Sequence, residues 1–262
     1  MQLRVLGNRN FCVGTLITGI YGFVLYGVTA MLPLFLQTLM GYPALDSGLA
    51  VSPRGIGSML AMIVAGTLVN YIDSRLLLAC GFGTLCYSTL LLSHINLGIS
   101  MVSVALPTLI NGFAGGLIFV PLTTMAMGML RKEEIGNASG IYNLMRNIGG
   151  SIGIASAITI LVRGSQIHQN YLTAHVTAGN PAVMEILQGL QTKFYLGGTD
   201  AYTAHQKGLG VLYGIVQQQA SLLAYTDNFR LLGYLSLLCI PLALFFHRVR
   251  KHSQGRLDVI GE

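Results

Sequence analysis

Long apolar blocks separated by short polar turns make up most of this chain. No charged residue occurs in residues 11–45 or 76–130. Crossing the hydrocarbon core of a bilayer takes about 20 predominantly apolar residues. The pattern therefore predicts an all-α transmembrane protein, a single membrane domain over residues 1–262, with six spans at about residues 11–37, 46–71, 75–94, 100–130, 136–162 and 227–246.

The remaining segments are polar and lie between or after the spans. Residues 163–226 are predicted to form a long loop outside the membrane, and residues 247–262 a basic cytoplasmic tail. Within the loop, Asn180 followed by Pro181 predicts a helix start, with Asn as the cap and Pro at the first helical position. Apolar residues spaced through 200–224 predict an amphipathic helix lying on the membrane surface.

The positions of the basic residues predict the orientation. Six spans place both termini on one side, and cytoplasmic loops carry an excess of Lys and Arg. With both termini inside, the first two outside loops hold no basic residue. The basic residues of the inside segments are Arg4, Arg9, Arg75, Arg131, Lys132, Arg248, Arg250, Lys251 and Arg256. The chain is therefore predicted to be a multi-pass protein with both termini in the cytoplasm.

Composition supports the membrane class and argues against other functions. Hydrophobic residues make up 53% of the chain and charged residues 9%, against about 25% charged in a soluble domain. The formal charge of +6 does not indicate nucleic-acid binding, because the basic residues lie between apolar blocks and not along one face. No metalloprotease, Walker or nucleophile-elbow motif occurs, so we predict no enzyme and no cofactor.

The four cysteines indicate neither a disulfide framework nor a metal site. They lie inside apolar blocks, and no Cys-x-x-Cys pair occurs. Buried free thiols are therefore the expected state. The four residues are Cys12, Cys80, Cys86 and Cys239.

One charged residue, Arg146, lies in the fifth predicted span, about 15 Å from its start at 1.5 Å per residue. Small and polar side chains share its helical stripe: Ser139, Asn143, Asn147, Gly150, Gly153 and Ala157. Charged side chains within a membrane usually face a bundle interior or a wet cavity. Arg146 is therefore predicted either to line a central cavity or to be a structural arginine bonded to helix ends.

Four further residues are candidates for coupling or gating. Arg54 lies about 12 Å into the second span and is either a coupling or gating residue or a structural or interfacial arginine. Asp227 opens the sixth predicted span, as a helix cap or as a coupling acid. Asp73 and Arg75 form a tight turn between spans and are also candidate gating residues.

Other polar residues within the spans could bind substrate or serve in helix packing. These are Tyr21, Tyr26, Asn111, Asn143 and Asn147. Two glycine pairs spaced by four residues, Gly136 with Gly140 and Gly149 with Gly153, predict close contact between helices.

Several stretches together resemble the C-terminal half of a Major Facilitator Superfamily transporter. More narrowly, they are similar to the fourteen-helix drug:proton antiporters of the EmrB/QacA type. The resemblance rests on LPLFLQTLMGYPALDSGLAVSPRGIGSM (32–59), GFAGGLIFVPLTTMAMGML (112–130), GNASGIYNLMRNIGGSIGIA (136–155) and QQQASLLAYTDNF (217–229). The turn AGTLVNYIDSR (65–75) resembles the loop signature of the superfamily, without its second run of basic residues.

The resemblance implies a six-helix bundle built as a three-plus-three inverted repeat, one half of a bacterial inner-membrane transporter. It implies amphipathic or cationic drugs as substrates and protons as the coupling ion. The transport path of this superfamily lies between two bundles, so this chain alone is expected not to transport. Its expected partners are the lipid bilayer and the missing N-terminal bundle or another transporter chain. A periplasmic adaptor protein is a further candidate partner. The alternative is a non-transporting membrane interaction protein or remnant half that pairs with another bundle.

Overall fold

The computed structural model describes Val5, residues 7–177 and residues 179–246, and within them the chain forms nine helices. They are α1 (Arg9–Thr38), α2 (Ala44–Val51), α3 (Pro53–Leu68), α4 (Ser74–Leu92), α5 (Met101–Met127), α6 (Lys132–His175), α7 (Pro181–Leu196), α8 (Ala201–Leu237) and α9 (Cys239–Leu244). The predicted cytoplasmic tail 247–262 lies outside the described residues.

Short polar side chains cap most of the helix starts. Such side chains accept hydrogen bonds from the first backbone N–H groups, which have no partner within the helix. The Asn180 side chain accepts from the Ala182 N–H at 3.2 Å, which confirms the predicted start of α7. The caps of the other helices that begin in this way are Asn8, Asp73, Ser100 and Asp200.

In the part of the chain that the structure describes, five runs of helix are long and apolar enough to cross a membrane, and they match the first five predicted spans. The second run, Ala44–Leu68, is divided into α2 and α3 at Ser52, because Pro53 starts a new helix. The sixth predicted span, 227–246, is not among these five runs. Its apolar residues are divided between α8 and α9 at Leu238.

The predicted outside loop 163–226 contains more helix than the sequence indicated, and its position outside the membrane stays a prediction. Helix α6 continues beyond residue 162 to His175 and contains 44 residues. The additional turns extend it by about 20 Å at 1.5 Å per residue. The helix predicted at 200–224 is confirmed, whereas its location on the membrane surface stays a prediction. Those residues form the first part of α8, which continues without a break toward the apolar residues of the sixth predicted span.

The extensions of α6 and α8 stabilise one another, and α7 packs against α8. The Ser165 and Ser221 hydroxyl oxygens lie 3.1 Å apart across this contact. A loop needs polar residues, but so do two helices that pair outside a membrane. Polarity alone therefore did not distinguish these structures.

A pair of cysteines tests the paired extensions directly. We expect Ser165→Cys combined with Ser221→Cys to form a disulfide on mild oxidation, because the two side chains meet within disulfide range. Mass spectrometry of the digested protein measures the cross-linked fraction. The control pair is Ser151→Cys with Ser221→Cys, since Ser151 lies about 21 Å along α6 from residue 165. Equal cross-linking of both pairs would contradict the paired helices.

Helix α1 runs through the middle of the bundle, where it contacts α5, α6, α8 and α9. The largest fully buried side chains are aromatic and come from α1, α4 and α8 and the segment after α9: Phe11, Phe35, Phe82, Phe229 and Phe246. Helices α3 and α6 are more peripheral. In their most apolar stretches 22% of residues are buried, against 50–56% in α1, α4 and α5.

Two helix pairs pack closely through glycine and in the same register. In the α1–α6 pair, a Cβ at Gly22 would overlap the carbonyl oxygen of Arg146, and a Cβ at Gly149 would overlap that of Gly19. In the α3–α5 pair, a Cβ at Gly112 would overlap the carbonyl oxygen of Arg54. Likewise, a Cβ at Gly57 would overlap that of Leu109. Each pair therefore has two close contacts. The two residues that make them are three positions apart on one helix, and their partners are three positions apart on the other.

This matching register is the three-plus-three inverted repeat. The first unit is α1, α2–α3 and α4, and the second is α5, α6 and α8. In an inverted repeat of three spans each, the second unit has the opposite direction. Helix α1 corresponds to α5, and α3 corresponds to α6. The α1–α6 contact therefore corresponds to the α5–α3 contact.

The predicted glycine contacts are half right. Gly149 and Gly153 both lie against α1, where Gly153 meets the backbone of Phe23. Gly136 and Gly140 have no atom within 4 Å of an added Cβ, so their predicted close contact is wrong. The cysteine prediction is also partly wrong. All four thiols are free, and Cys86 and Cys239 are buried, but Cys12 and Cys80 are exposed on the outer faces of their helices.

Candidate functional site

The two arginines within the predicted spans line the same recess. It has a volume of about 300 Å³ and lies between α1, α3, α5 and α6. The repeat explains why both arginines line the recess. Arg54 in the α3–α5 pair and Arg146 in the α1–α6 pair occupy equivalent positions, since the carbonyl of each lies against a glycine of the paired helix. The other lining residues are small or apolar except for two hydroxyl groups: Tyr21, Leu25, Ser58, Met62, Gly112, Gly115, Gly116 and Phe119.

Arg146 is half-buried and faces an aromatic ring. Its guanidinium carbon lies 5.8 Å from the ring centre of Phe119 on α5, within the range of a cation–π contact. Its Nε is buried and has no hydrogen-bond partner. The charge is therefore stabilised by a ring face, while one of its five donors remains available for an acceptor.

Arg54 is also half-buried and lies in the first turn of α3. Its Nη1 donates a hydrogen bond to the Thr29 hydroxyl on α1. The arginine therefore reaches across to the central helix and does not extend toward the end of its own helix. This contact between helices fits the structural alternative for Arg54, while its coupling or gating role stays a prediction.

Tyr21 closes the inner wall of the recess. Its ring is 4% exposed and packs edge-on against Phe82, with ring centres 6.3 Å apart. Its hydroxyl donates to the Gly115 carbonyl at 3.4 Å. Tyr21 thus lines the cavity and links α1 to α5.

The recess is positively charged, because no acidic side chain lines it. The acidic side chain Asp227 lies elsewhere, on α8, where its carboxylate contacts His168 on α6 and Arg230. Neither arginine of the recess therefore has a carboxylate partner within the described chain.

The other predicted cavity residues lie elsewhere. Asn111 is 2% exposed and donates to the Ser88 hydroxyl at 3.1 Å, which is a packing contact between α5 and α4. The Tyr26 ring lies against Gly150, where an added Cβ would overlap it. Asn143 and Asn147 are exposed on α6, and Asn143 donates to the Ser139 carbonyl at 3.0 Å.

Asp227 does not cap a helix, so this part of the prediction is wrong. It lies within α8, with a half-exposed side chain whose Oδ2 is 2.8 Å from His168 Nε2. The cap of α8 is Asp200, and hydrogen bonds from the Thr203 side chain and backbone hold the pKa of that carboxyl below its ordinary value. Asp227 links the extensions of α6 and α8 and is remote from the two arginines of the recess.

Asp73 and Arg75 form the predicted turn. Asp73 caps α4 and accepts from the Arg75 N–H at 3.1 Å. The Arg75 guanidinium donates to the Phe246 carbonyl, which connects the start of α4 to the segment after α9. These contacts establish a structural role, while the gating role stays a prediction.

Sequence analysis missed a second cavity, a groove of about 620 Å³ between the C-terminal end of α1, α6 and α8. No charged residue lines it, and half of its polar side chains are glutamines. The Gln218 side chain donates to the Leu39 carbonyl at 3.2 Å. The polar run Gln217-Gln218-Gln219 is the signal in the sequence that marks one wall of this groove.

Comparison with known proteins agrees with this architecture. The Major Facilitator Superfamily profile matches residues 2–154. Two relatives match at 31% and 33% identity. They are "Multidrug export protein EmrB" of Haemophilus influenzae, over 79% of this chain and 41% of that protein, and "Probable multidrug resistance protein EmrY" of Escherichia coli, over 74% and 38%.

A third relative matches over nearly the whole chain. It is "Fatty acid resistance protein FarB" of Neisseria gonorrhoeae, 27% identical over 97% of this chain and 48% of that protein. The chain therefore spans about half the length of the curated relatives it matches.

Proposed function

This chain belongs to the Major Facilitator Superfamily, and we propose that it forms one six-helix bundle of a proton-coupled multidrug efflux transporter. In this proposal the chain lies in the bacterial inner membrane with both termini in the cytoplasm. Amphipathic or cationic drugs leave by alternating access in exchange for protons. The names of two relatives, for multidrug export and multidrug resistance, support drug efflux.

The observation that carries the proposal is the recess containing Arg54 and Arg146. A charged side chain within a membrane-spanning segment is by default a candidate for a transport path. Here two of them converge at equivalent points of an inverted repeat, where superfamily members place their substrate sites. The recess is the part of the central cavity wall that this chain contributes.

The exposed faces of α3 and α6 support a partner bundle. Both helices border the recess, and both are far less buried than α1, α4 and α5. Exposed apolar residues of α3 include Met59 and Ile63, next to Ser58 and Met62 of the recess wall. A second bundle packed on these faces would enclose the recess. We propose that this bundle is either the N-terminal half of the same transporter or another transporter chain.

The coupling acid is proposed to lie on the partner bundle. An arginine does not deprotonate in proteins, so neither Arg54 nor Arg146 can carry the proton. Each can bias the proton affinity of a nearby acid through its charge. The paired extensions of α6 and α8 are the surface that we propose for a periplasmic adaptor.

Reconstitution tests the proposed function. We expect proteoliposomes with this chain alone to show no efflux of ethidium or Nile red under an imposed proton gradient. Proteoliposomes that also contain a complementary bundle, such as the N-terminal half of the E. coli relative, are expected to show it. The expectation follows from the open faces of α3 and α6, and dye fluorescence measures the efflux.

Two results would contradict the proposal. Gradient-driven efflux by the chain alone would show that one bundle is sufficient. Stable association with the complementary bundle without efflux of any dye would favour the second candidate function, a non-transporting interaction protein. The exposed apolar faces of α3 and α6 are the observation that favours this second candidate.

A further inference from the structure

We propose that an apolar cleft between α1, α6, α8 and α9 holds one acyl chain of an anionic phospholipid, whose phosphate lies at the Arg9 end of the cleft. The ligand class is a phosphodiester with two acyl chains, such as phosphatidylglycerol. Such binding goes beyond the proposed function, because it requires only that the chain spans a membrane and is independent of drug efflux.

The cleft has a volume of about 400 Å³ and is separate from the recess. Every residue that lines it is apolar or a glycine, and neither α3 nor α5 borders it. Its two glycines, Gly19 and Gly149, lie where α1 and α6 are closest. Met145 lines the cleft, whereas its neighbour Arg146 lines the recess. The tight contact between α1 and α6 therefore divides the two cavities.

The cleft faces the bilayer. Its wall includes exposed side chains from three helices: Leu16, Ile148, Ile152 and Leu238. Both α1 and α6 belong to the runs of helix that are long and apolar enough to cross a membrane. Lipid chains surround such helices, and a cleft left empty would lose van der Waals contacts along its whole wall. An acyl chain is therefore the occupant that fits the lining.

The face of α1 that lines the cleft continues to a basic residue. Leu16, Ile20 and Phe23 line the cleft, and residues three, four or seven positions apart share one face of a helix. Arg9 lies seven residues before Leu16, so it lies on the same face, about 10 Å nearer the start of α1. Its side chain is exposed. A phospholipid with one chain in the cleft would thus have its phosphate at Arg9.

Further charges at this end of the bundle favour an anion. The Phe246 ring lies against Gly14 of α1, and the Arg75 guanidinium donates to the Phe246 carbonyl. The starts of α1 and α4 and the end of α9 therefore meet there. Asp73, the cap of α4, opposes one positive charge, and residues 131–134 add two charges of each sign. The sequence after Phe246 adds three basic residues, Arg248, Arg250 and Lys251.

The combination of apolar cleft and basic end selects an anionic phospholipid. A basic residue near a membrane surface strengthens binding of anionic lipid about fivefold. Phosphatidylcholine has the same acyl chains, but its choline cation offsets the phosphate charge. Free phosphate would use the basic end without the cleft, and a second protein chain would use the cleft without the basic end.

Tryptophan fluorescence tests the site, because the chain contains no tryptophan. Phe23→Trp places a reporter in the cleft. Tyr87→Trp is the matched control, since Tyr87 is exposed on α4 at the level where Gly233 of α8 packs against Thr89. In liposomes of mixed composition, brominated acyl chains of one lipid quench each reporter and give relative binding constants. We expect phosphatidylglycerol to bind about tenfold more tightly than phosphatidylcholine at Phe23→Trp, and equally at Tyr87→Trp.

Two further changes in the Phe23→Trp chain separate the headgroup from the acyl chain. Arg9→Gln is expected to lower the preference for phosphatidylglycerol about fivefold. Arg163→Gln, an exposed arginine on the extension of α6, is its control and is expected to leave the preference unchanged. Gly19→Leu is expected to fill the cleft and abolish the preference. A Cβ added at Gly19 makes only ordinary contacts with Met145, so the helix contact is kept.

Three results would overturn the proposal. Equal binding of the two phospholipids at Phe23→Trp would show that the cleft takes any lipid. Protection of this reporter from both lipids, with a doubled particle size, would show that a second copy of the chain covers the cleft. Relief of quenching by inorganic phosphate would show an anion site that does not need the acyl chain. The comparison of the two lipids needs no second variant and no dye efflux, so it stays decisive if the other variants fail to fold or the proposed function fails.

Discussion

Replacing Gly149 by valine is expected to prevent the chain from forming a stable bundle. A Cβ at this position would overlap the carbonyl oxygen of Gly19 on α1, so the obstacle is backbone and cannot move aside as a side chain can. Overpacking a well-packed contact costs about 1–3 kcal/mol and occasionally more. With a backbone obstacle we expect a loss of about 3 kcal/mol, at the upper end of that range.

Gly140→Val is the matched control, because it makes the same replacement on the same helix. No atom lies within 4 Å of a Cβ added at Gly140. The fraction of protein that remains monodisperse in detergent after heating compares the variants. The repeat makes a second prediction of the same kind, since Gly112→Val would overlap the Arg54 carbonyl and is expected to behave like Gly149→Val. Equal heat stability of Gly149→Val and Gly140→Val would contradict the close α1–α6 contact.

Arg146→Ala is expected to lower efflux about 10- to 100-fold in a transporter assembled from this chain and a complementary bundle. Hydrogen bonds to charged groups contribute about 1.5–3 kcal/mol, and about 1.4 kcal/mol corresponds to a factor of ten. Arg146→Lys is expected to be intermediate, because lysine keeps the charge but lacks the planar group that lies over Phe119. The initial rate of Nile red efflux, divided by the amount of reconstituted protein, measures both effects.

The equivalence of the two repeats extends this expectation to Arg54. Arg54→Ala is expected to lower efflux to a similar extent, whereas Arg163→Ala, in the exposed extension of α6, is expected to leave it unchanged. Full efflux and full protein level in both Arg146 variants would indicate that Arg146 has only a structural role. Loss of protein from the membrane in the alanine variants alone would support the same conclusion.

The candidate site was only partly predictable from sequence. A charged side chain within an apolar block is a local signal, so Arg54 and Arg146 were both identified. Their convergence was not, because it depends on which helices pack together. Asn143 and Asn147 share a stripe with Arg146 but lie on its exposed side, since the stripe is wider than the contact with α1. The Arg-x-Ile-Gly motif shared by residues 54–57 and 146–149 was the signal that would have linked α3 to α6.

The sequence by itself determined the class of the protein, the first five spans and the close helix contact at Gly149 and Gly153. Each of these follows from a local requirement: a bilayer demands continuous apolar helix, and close helix contact demands small residues. Only the tertiary structure decided that residues 163–175 and 200–226 are paired helices, that Asp227 is remote from the arginines, and that Arg54 and Arg146 share one recess. Those features depend on contacts between segments far apart in the chain, and the same polar residues fit a loop, a surface helix or a paired helix until such contacts are known.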